Sequence, residues 1–550
     1  MSRPQTRKLA VALLGMALLL AAFSPPADRY FEFIRSLETY SALFREVNRV
    51  YVDDLNPNDL SRTGIDAMLN SLDPYTNYIA DNEVEDYRRM NTGEYGGIGA
   101  VTQNFGKRMV VTMVYDKFTA SQKGLKIGDE VLQIDGIDLS KRTTDQANQL
   151  MRGQVGTEVS VTVSRFGNPK PITLTFKREK IKISNVPYYG MMTDKTGYVQ
   201  LTEFTGEAAK EVATAVVNLK RSGATSIILD LRGNPGGLLN EAVGICNLFL
   251  PKDSLVVTTR GKIPENNRIY RTELNPIDTE LPVAVLINRG SASASEIVAG
   301  TLQDYDRAVI IGERSYGKGL VQTESLLPHK ALVKITVAKY YTPTGRCIQV
   351  LDYSHRRSDG SVASVPDSVK RAFKTSHGRT VYDGGGIEPD VPLTITPAAP
   401  VIQALITQGY LFDYGTEYAY NHPKIADART FSLTDAEYNE FVSWMKNKEL
   451  AYQTDMERRL ALLTKAARKE QLYDQLKPSI QQLEQRLSNS RKNDLMIYKD
   501  QVKRLLEEQI ASRYYLERGP VEVSLKYDED IRKAIAVLNN PAQFKKILNR

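Results

Sequence analysis

Between residues 226 and 311 the chain repeats one pattern: a short apolar run, a turn of small residues, then a helical stretch. Ser226–Leu231 (SIILDL) leads into Gly233–Gly237 and the helical run Leu238–Leu250. Pro282–Ile287 (PVAVLI) leads into a turn of serine and alanine and a helix from about Ser293 to Tyr305, and Ala308–Ile311 is a third such run. Short apolar runs bounded by small residues fit buried strands. Strand, turn and helix in succession constrain this region to an α/β layered domain. Ala331–Tyr341 reads as a further strand.

The flanking regions have other textures. Residues 27–90 read as helices, with apolar positions from Phe31 to Val50 near helical spacing, a turn at Asn56-Pro57 and a second helix from about Ser61 to Leu72. Glycines then cluster at 93, 96, 97 and 99. Short strand-like runs follow at Ile98–Thr102, Met109–Val114, Glu130–Ile134, Glu158–Ser164 and Pro171–Phe176, with small helices at 119–123 and 143–152. From 434 to about 516 the chain is rich in Glu, Lys, Gln, Leu and Arg and reads as long amphipathic helices with a solvated face.

Composition narrows the function classes. Two cysteines in 550 residues exclude a disulfide scaffold. Cys246 and Cys347 form no C-x-x-C pair and only four histidines occur, which disfavours a zinc cluster, and no metal site is expected. The net charge is +7 without a long basic run, so no nucleic-acid partner is expected. Arg3, Arg7 and Lys8 precede an apolar run from Leu9 to Phe23, the layout of an export signal. The run is shorter than the ~20 residues that span a bilayer comfortably. Cleavage after small residues near Ala22 and Ser24 is expected; retention as a membrane anchor through residues 9–23 is the alternative, because Pro25 would follow the cut.

The chemistry concentrates at Asn288–Tyr305, NRGSASASEIVAGTLQDY. Ser291, Ser293 and Ser295 alternate with alanine where a strand gives way to a helix, a place that presents a nucleophile at a helix N-terminus. N-capping accounts for one serine, not for three. The histidines, at 329, 355, 377 and 422, lie outside the conspicuous motifs. A lysine serves as base where its ammonium is disfavoured, and Lys318 stands between glycines in GERSYGKGLVQT. Gly312–Lys318 also matches most of a P-loop, but Gly319 replaces the required Ser or Thr, and a strand rather than a helix follows. Gly233–Gly237 is a turn whose free N–H groups can meet an anion.

Residues 93–395 resemble the C-terminal processing (tail-specific) serine peptidases. The resemblance rests on GGIGA at 96–100, GLKIGDEVLQIDG at 124–136, LDLRGNPGG at 229–237, GSASASEIVAG at 290–300, GERSYGKGLVQ at 312–322, YYTPTGR at 340–346 and GIEPDV at 386–391, in the family's order. The departures are Cys347, in place of a small polar residue, and the helical tail after about 396. The resemblance implies a multi-domain α/β protein: a crotonase/ClpP-like peptidase core with an inserted PDZ domain and helical regions at both ends. The corresponding segments are a signal peptide or anchor (1–26), an N-terminal helical region (27–92), a PDZ domain (93–180), a catalytic domain (181–395) and a C-terminal helical extension (396–550).

The resemblance further implies Ser293 as nucleophile, Lys318 as general base and Gln322 as the residue positioning its amine. Amides near Gly237 and at Ala294 would form the oxyanion hole, with Glu296 as a supporting carboxylate. Gly97, Ile98, Gly99 and Ala100 match a loop that captures a peptide's terminal carboxylate, since PDZ modules add a peptide as a strand. The implied protein is an exported, periplasmic endopeptidase, soluble or anchored, that acts on substrates with exposed C-termini and needs no cofactor. The C-terminal helices are expected to pack as amphipathic helices, with dimerisation or adaptor contact as the alternative. Two rival readings are a catalytically silent PDZ scaffold, disfavoured by the presence of Ser293, Lys318 and Gln322, and a crotonase-type acyl enzyme, in which a PDZ module has no role.

Overall fold

The computed structural model describes residues 27–550 apart from 358, 395, 396 and 492. The expected leader at 1–26, and the boundary placed at 395/396, lie outside the described residues. The described residues divide into two compact units, one ending at Tyr78 and the other running from Ile79 to Arg550. The smaller holds helices Ala27–Val50 and Pro57–Asn70. Asn56 ends the connecting turn and caps the second helix by accepting from the Asn58 N–H (3.0 Å), with Pro57 at the first helical position. A third helix, Asp81–Thr92, belongs to the larger unit, where Val84 packs with Ile79 and Leu332.

The core of the larger unit is a six-stranded sheet in chain order: Tyr188–Met191, Thr196–Gln200, Ser226–Asp230, Val283–Ile287, Ala308–Gly312 and Val391–Pro392. The first pair is antiparallel and the rest parallel: the earlier parallel strands are joined by crossovers that carry helices, and the last is reached through the strands of residues 313–390. Successive side chains point to opposite faces. Ile227, Leu229, Val283, Val285 and Ile287 face helices Ala208–Arg221, Leu239–Asn247 and Ala294–Asp304. Ile228, Ala284, Leu286, Val309 and Ile311 face the other way and meet Ile531, Ala534, Val537 and Phe544 of the last two helices, Glu529–Leu538 and Pro541–Ile547. A second sheet, with Leu332–Tyr341 between Leu320–Leu326 and Leu255–Gly261, stands beside the first, and Arg268–Arg271 pairs with its outer strand.

Residues 100–177 form a separate layer of antiparallel strands in the order Ala100–Phe105, Arg108–Val114, Glu130–Ile134, Glu158–Ser164, Ile172–Lys177, with helices Thr119–Gln122 and Thr144–Met151. Glu94–Gly97 pairs with Glu179–Lys182 where the chain enters and leaves this layer. From Pro400 onward the chain is helical with a core of its own, including Leu405, Tyr438, Phe441 and Leu506. Thr434 and Thr454 cap two of its helices in reciprocal boxes with Glu437 and Glu457. The helix Tyr410–Asn421 inserts Phe412 into the core of the 100–177 layer, with its ring 5.3 Å from that of Phe105. Among the described residues no helix is long and apolar enough to cross a membrane.

Candidate active site

The three alternating serines have different surroundings. Ser291 and Ser295 are buried: the Ser291 hydroxyl donates to the Leu231 carbonyl (2.8 Å) and that of Ser295 to the Asn234 carbonyl (3.0 Å). Both stitch the helix start to the glycine turn. Ser293 stands between them, half-buried, at the mouth of helix Ala294–Asp304, with φ 54° and ψ −111°. That is a strained conformation for a residue with a side chain, of the kind that presents a nucleophile at a strand-to-helix elbow. The hydrogen bonds around it hold the strain in place. Its N–H donates to Glu296 Oε2 (2.9 Å), and its carbonyl accepts from the Ile297 N–H and the Tyr340 hydroxyl.

Lys318 lies on the loop between strands Ala308–Gly312 and Leu320–Leu326. Its flanking glycines are required by close approach. A Cβ on Gly317 would fall 2.0 Å from Val350, and one on Gly319 would fall 2.9 Å from the Gln349 nitrogen. The carboxylate of Glu296 gathers this loop. Oε1 accepts from the Ser315 hydroxyl (2.5 Å) and Gly317 N–H (2.6 Å); Oε2 accepts from the N–H groups of Lys318 and Ser293, 2.9 Å each. One oxygen thus ties the backbones of Ser293 and Lys318, leaving their nitrogens no more than two hydrogen-bond lengths apart. Burial pushes the Glu296 carboxyl up to about 7, against the pull of these four donors toward the ionised form. The Tyr340 hydroxyl braces the same pair, donating to the carbonyls of Lys318 (2.7 Å) and Ser293 (3.2 Å).

The turn Gly233–Gly237 closes over the helix mouth. Asn234 fixes it: its Nδ2 donates to the Leu201 carbonyl, its Oδ1 accepts from the Gly236 N–H, and its own carbonyl accepts from the Ala292 N–H. A Cβ on Gly236 would lie 2.8 Å from that of Ser293 and 2.9 Å from the Ala294 nitrogen, so only glycine permits this approach. Among the described residues, the N–H groups of Gly237 and Ala294 meet no acceptor. Both residues line one cleft of about 600 Å³ with Ser293, Lys318 and Gln322, walled by Phe204, Leu239, Ile297, Leu320 and Val321. Among the described residues no histidine lines it. Gln322 follows a bulge in its strand and donates to Thr336 Oγ1 (3.2 Å).

The sequence motifs assign no role to Asn234, Tyr340 or Ser315, although all three lie inside quoted motifs. Their positions in LDLRGNPGG, YYTPTGR and GERSYGKGLVQ were the available signal. The loop Gly97–Ala100 lies at the other candidate site. Gly97, Ile98 and Ala100 line a cavity of about 110 Å³ with Tyr95, Asn148, Met151 and Arg152, between the end strand Ala100–Phe105 and helix Thr144–Met151. Gly99 has φ 79°, and among the described residues the buried N–H groups of Ile98 and Gly99 meet no acceptor. Thr102 and Asn148 hydrogen-bond across this junction (2.9 Å). Among the described residues no cluster of His, Cys, Asp or Glu is arranged to hold a metal ion.

Comparison with known proteins matches three family models: peptidase family S41 over residues 195–353, a PDZ domain over 96–176, and the C-terminal helical domain of a probable PDZ-protease over 401–538. A carboxy-terminal-processing protease of Bartonella bacilliformis is 35% identical over 345 residues, 62% of this chain and 79% of that protein. A probable CtpA-like serine protease of Staphylococcus haemolyticus is 34% identical over 307 residues, 56% of this chain and 61% of that protein. Among solved structures, a photosystem II D1 C-terminal processing protease aligns at 27% identity and a TM-score of 0.35, over 64% of this chain and 91% of its own.

Proposed function

The chain belongs to the carboxy-terminal-processing protease family, serine-type peptidases of family S41, here with a PDZ domain, and on that premise we propose that Ser293 and Lys318 form the catalytic dyad. The neutral amine of Lys318 takes the proton of the Ser293 hydroxyl as its oxygen attacks the scissile carbonyl. The carbonyl oxygen, now negative, is met by the N–H groups of Gly237 and Ala294, which meet no acceptor among the described residues. The amine then passes the proton to the leaving nitrogen, and an acyl-enzyme remains. Water, deprotonated by the same lysine, hydrolyses it. Gln322, which lines the same cleft, is assigned to position that amine.

The observation that carries this reading is the shared carboxylate oxygen of Glu296. It fixes Ser293 and Lys318, 25 positions apart in sequence, at one cleft, where Ser293 is strained and, among the described residues, the amides of Gly237 and Ala294 meet no acceptor. A binding-only scaffold gives no account of that strain. Substrate selection is assigned to the PDZ domain: the unpaired amides of Ile98 and Gly99 receive a terminal carboxylate, and the substrate lies along Ala100–Phe105 as an added strand. We further propose that the enzyme is exported, a reading supported by the basic-then-apolar pattern of residues 3–23; fractionation of expressing cells, with the protein recovered in the cytosol, would contradict this.

The test compares wild type with Ser293→Ala on an unfolded protein bearing an apolar C-terminus, free or amidated. Cleavage is expected only with wild type and is expected to slow on the amidated substrate. Equal fragments from both enzymes would refute the dyad; equal rates on both substrates would refute the carboxylate site.

A further inference from the structure

Arg232 joins two parts of the protein that are nearly 300 positions apart in sequence. It stands between the strand Ser226–Asp230 and the Gly233–Gly237 turn. Its guanidinium is engaged on every side. Nε reaches both oxygens of Asp230 (3.0 and 3.1 Å), Nη2 reaches Asp230 Oδ2 (2.6 Å) and Asp528 Oδ2 (2.7 Å), and Nη1 reaches Asp528 Oδ1 (3.1 Å) and Asp530 Oδ2 (2.9 Å). Asp528 in turn caps helix Glu529–Leu538, accepting from the Ile531 N–H (3.0 Å). That helix is seated on the sheet by Ile531, Ala534 and Val537. Bidentate pairing fixes a guanidinium in direction as well as distance.

The backbone after Arg232 carries the oxyanion turn. The Arg232 N–H donates to Asp230 Oδ1 (2.9 Å), and the Gly233 N–H donates to Asn288 Oδ1 (2.9 Å), so side chain and backbone are held together. From the C-terminal helix the restraint therefore runs through Asp528, Asp530 and Arg232 into the turn that abuts Ser293. Apolar contact alone would dock the helix; it does not require two carboxylates aimed at the residue before the turn.

We infer that Asp528 and Asp530 are positioning residues for hydrolysis, holding the Gly233–Gly237 turn in register with Ser293 through Arg232. The inference rests on the assignment of Gly237 to the oxyanion hole. A misplacement of about 1 Å in such a site costs on the order of 100-fold in rate.

The full-length protein carrying Asp528→Asn and Asp530→Asn together keeps the side-chain shapes and removes the charges. Its kcat per folded molecule is expected to fall 10-fold or more, with KM within twofold of wild type and a small change in Tm. Asp528→Glu/Asp530→Glu is expected to recover part of the loss. Ile531→Ala, which loosens the same helix without touching Arg232, is expected to lower Tm more and leave kcat per folded molecule unchanged. Unchanged kcat in the asparagine variant, or an equal loss of kcat in Ile531→Ala, would overturn the inference. Ser293→Ala run alongside separates the two levels. If it is inactive while the asparagine variant is fully active, only this inference fails; if it is fully active, the dyad itself fails.

Discussion

The two faces of the catalytic sheet are covered by different parts of the chain. On one face lie helices that connect its own strands, and they bring the serine, the glycine turn and their bracing groups to one end. On the other lie the last two helices, from residues 529–547, which arrive after the sheet is complete. The first face makes the site and the second closes the core. Alternation along one strand shows the division: Ile227 and Leu229 belong to the first face, Ile228 to the second. A parallel sheet needs both faces covered, so the helical extension is an integral part of the peptidase fold here, with Arg232 tying it to the turn on the first face.

Deleting residues 529–550 is the severest way to break this comparison. It uncovers Ile228, Ala284, Leu286, Val309 and Ile311 together. At roughly 1.5–3 kcal/mol for each large apolar side chain, the loss rivals a whole domain's stability of about 5–15 kcal/mol. The expected result is aggregated protein without cooperative unfolding. A soluble, cleaving truncation would show that the second face needs no cover.

A pH experiment isolates the first face. Glu296 titrates near 7 when folded against an ordinary 4.5, because burial disfavours its charge. Between those values the folded state holds more protons than the unfolded one. This group's contribution to stability therefore falls as pH rises from about 4.5 to about 7, by on the order of 3 kcal/mol. Urea midpoints for wild type are expected to drop over that window relative to Glu296→Gln. The variant should be less stable overall and nearly inactive, since an amide nitrogen would confront two N–H donors. Parallel midpoints for the two proteins would contradict a buried, titrating carboxyl.

The smallest effect belongs to neither face. Arg108 pairs with Asp413 at 2.8 Å where the helical extension meets the PDZ layer, and both side chains are substantially exposed. Arg108→Ala is expected to change stability by less than about 1 kcal/mol, because Phe412 holds that junction. A large drop in Tm would shift the weight from packing to the ion pair.

The sequence made the first face legible because its signals are local. Apolar runs, the GNPGG turn, the serines and a glycine-flanked lysine are each contained within a few consecutive residues. What was not legible depended on distant partners. Nothing local separates Ser293 from Ser291 and Ser295; the difference is that the Leu231 and Asn234 carbonyls claim the outer two. Tyr340 and Ser315 act only through groups that folding brings to them. The pattern of Glu529–Leu538 shows an apolar stripe, but not that the stripe lies on strands more than 200 positions earlier.

The central claim is that Lys318 acts by accepting the serine proton. Lys318→Ala, assayed on a peptide substrate with and without a small alkylamine, tests it most directly. The account predicts a loss of at least about 10³-fold, unchanged peptide binding by the PDZ domain, and partial recovery that follows the free-base fraction of the added amine. Cleavage by Lys318→Ala at the wild-type rate, with no response to amine, would contradict it.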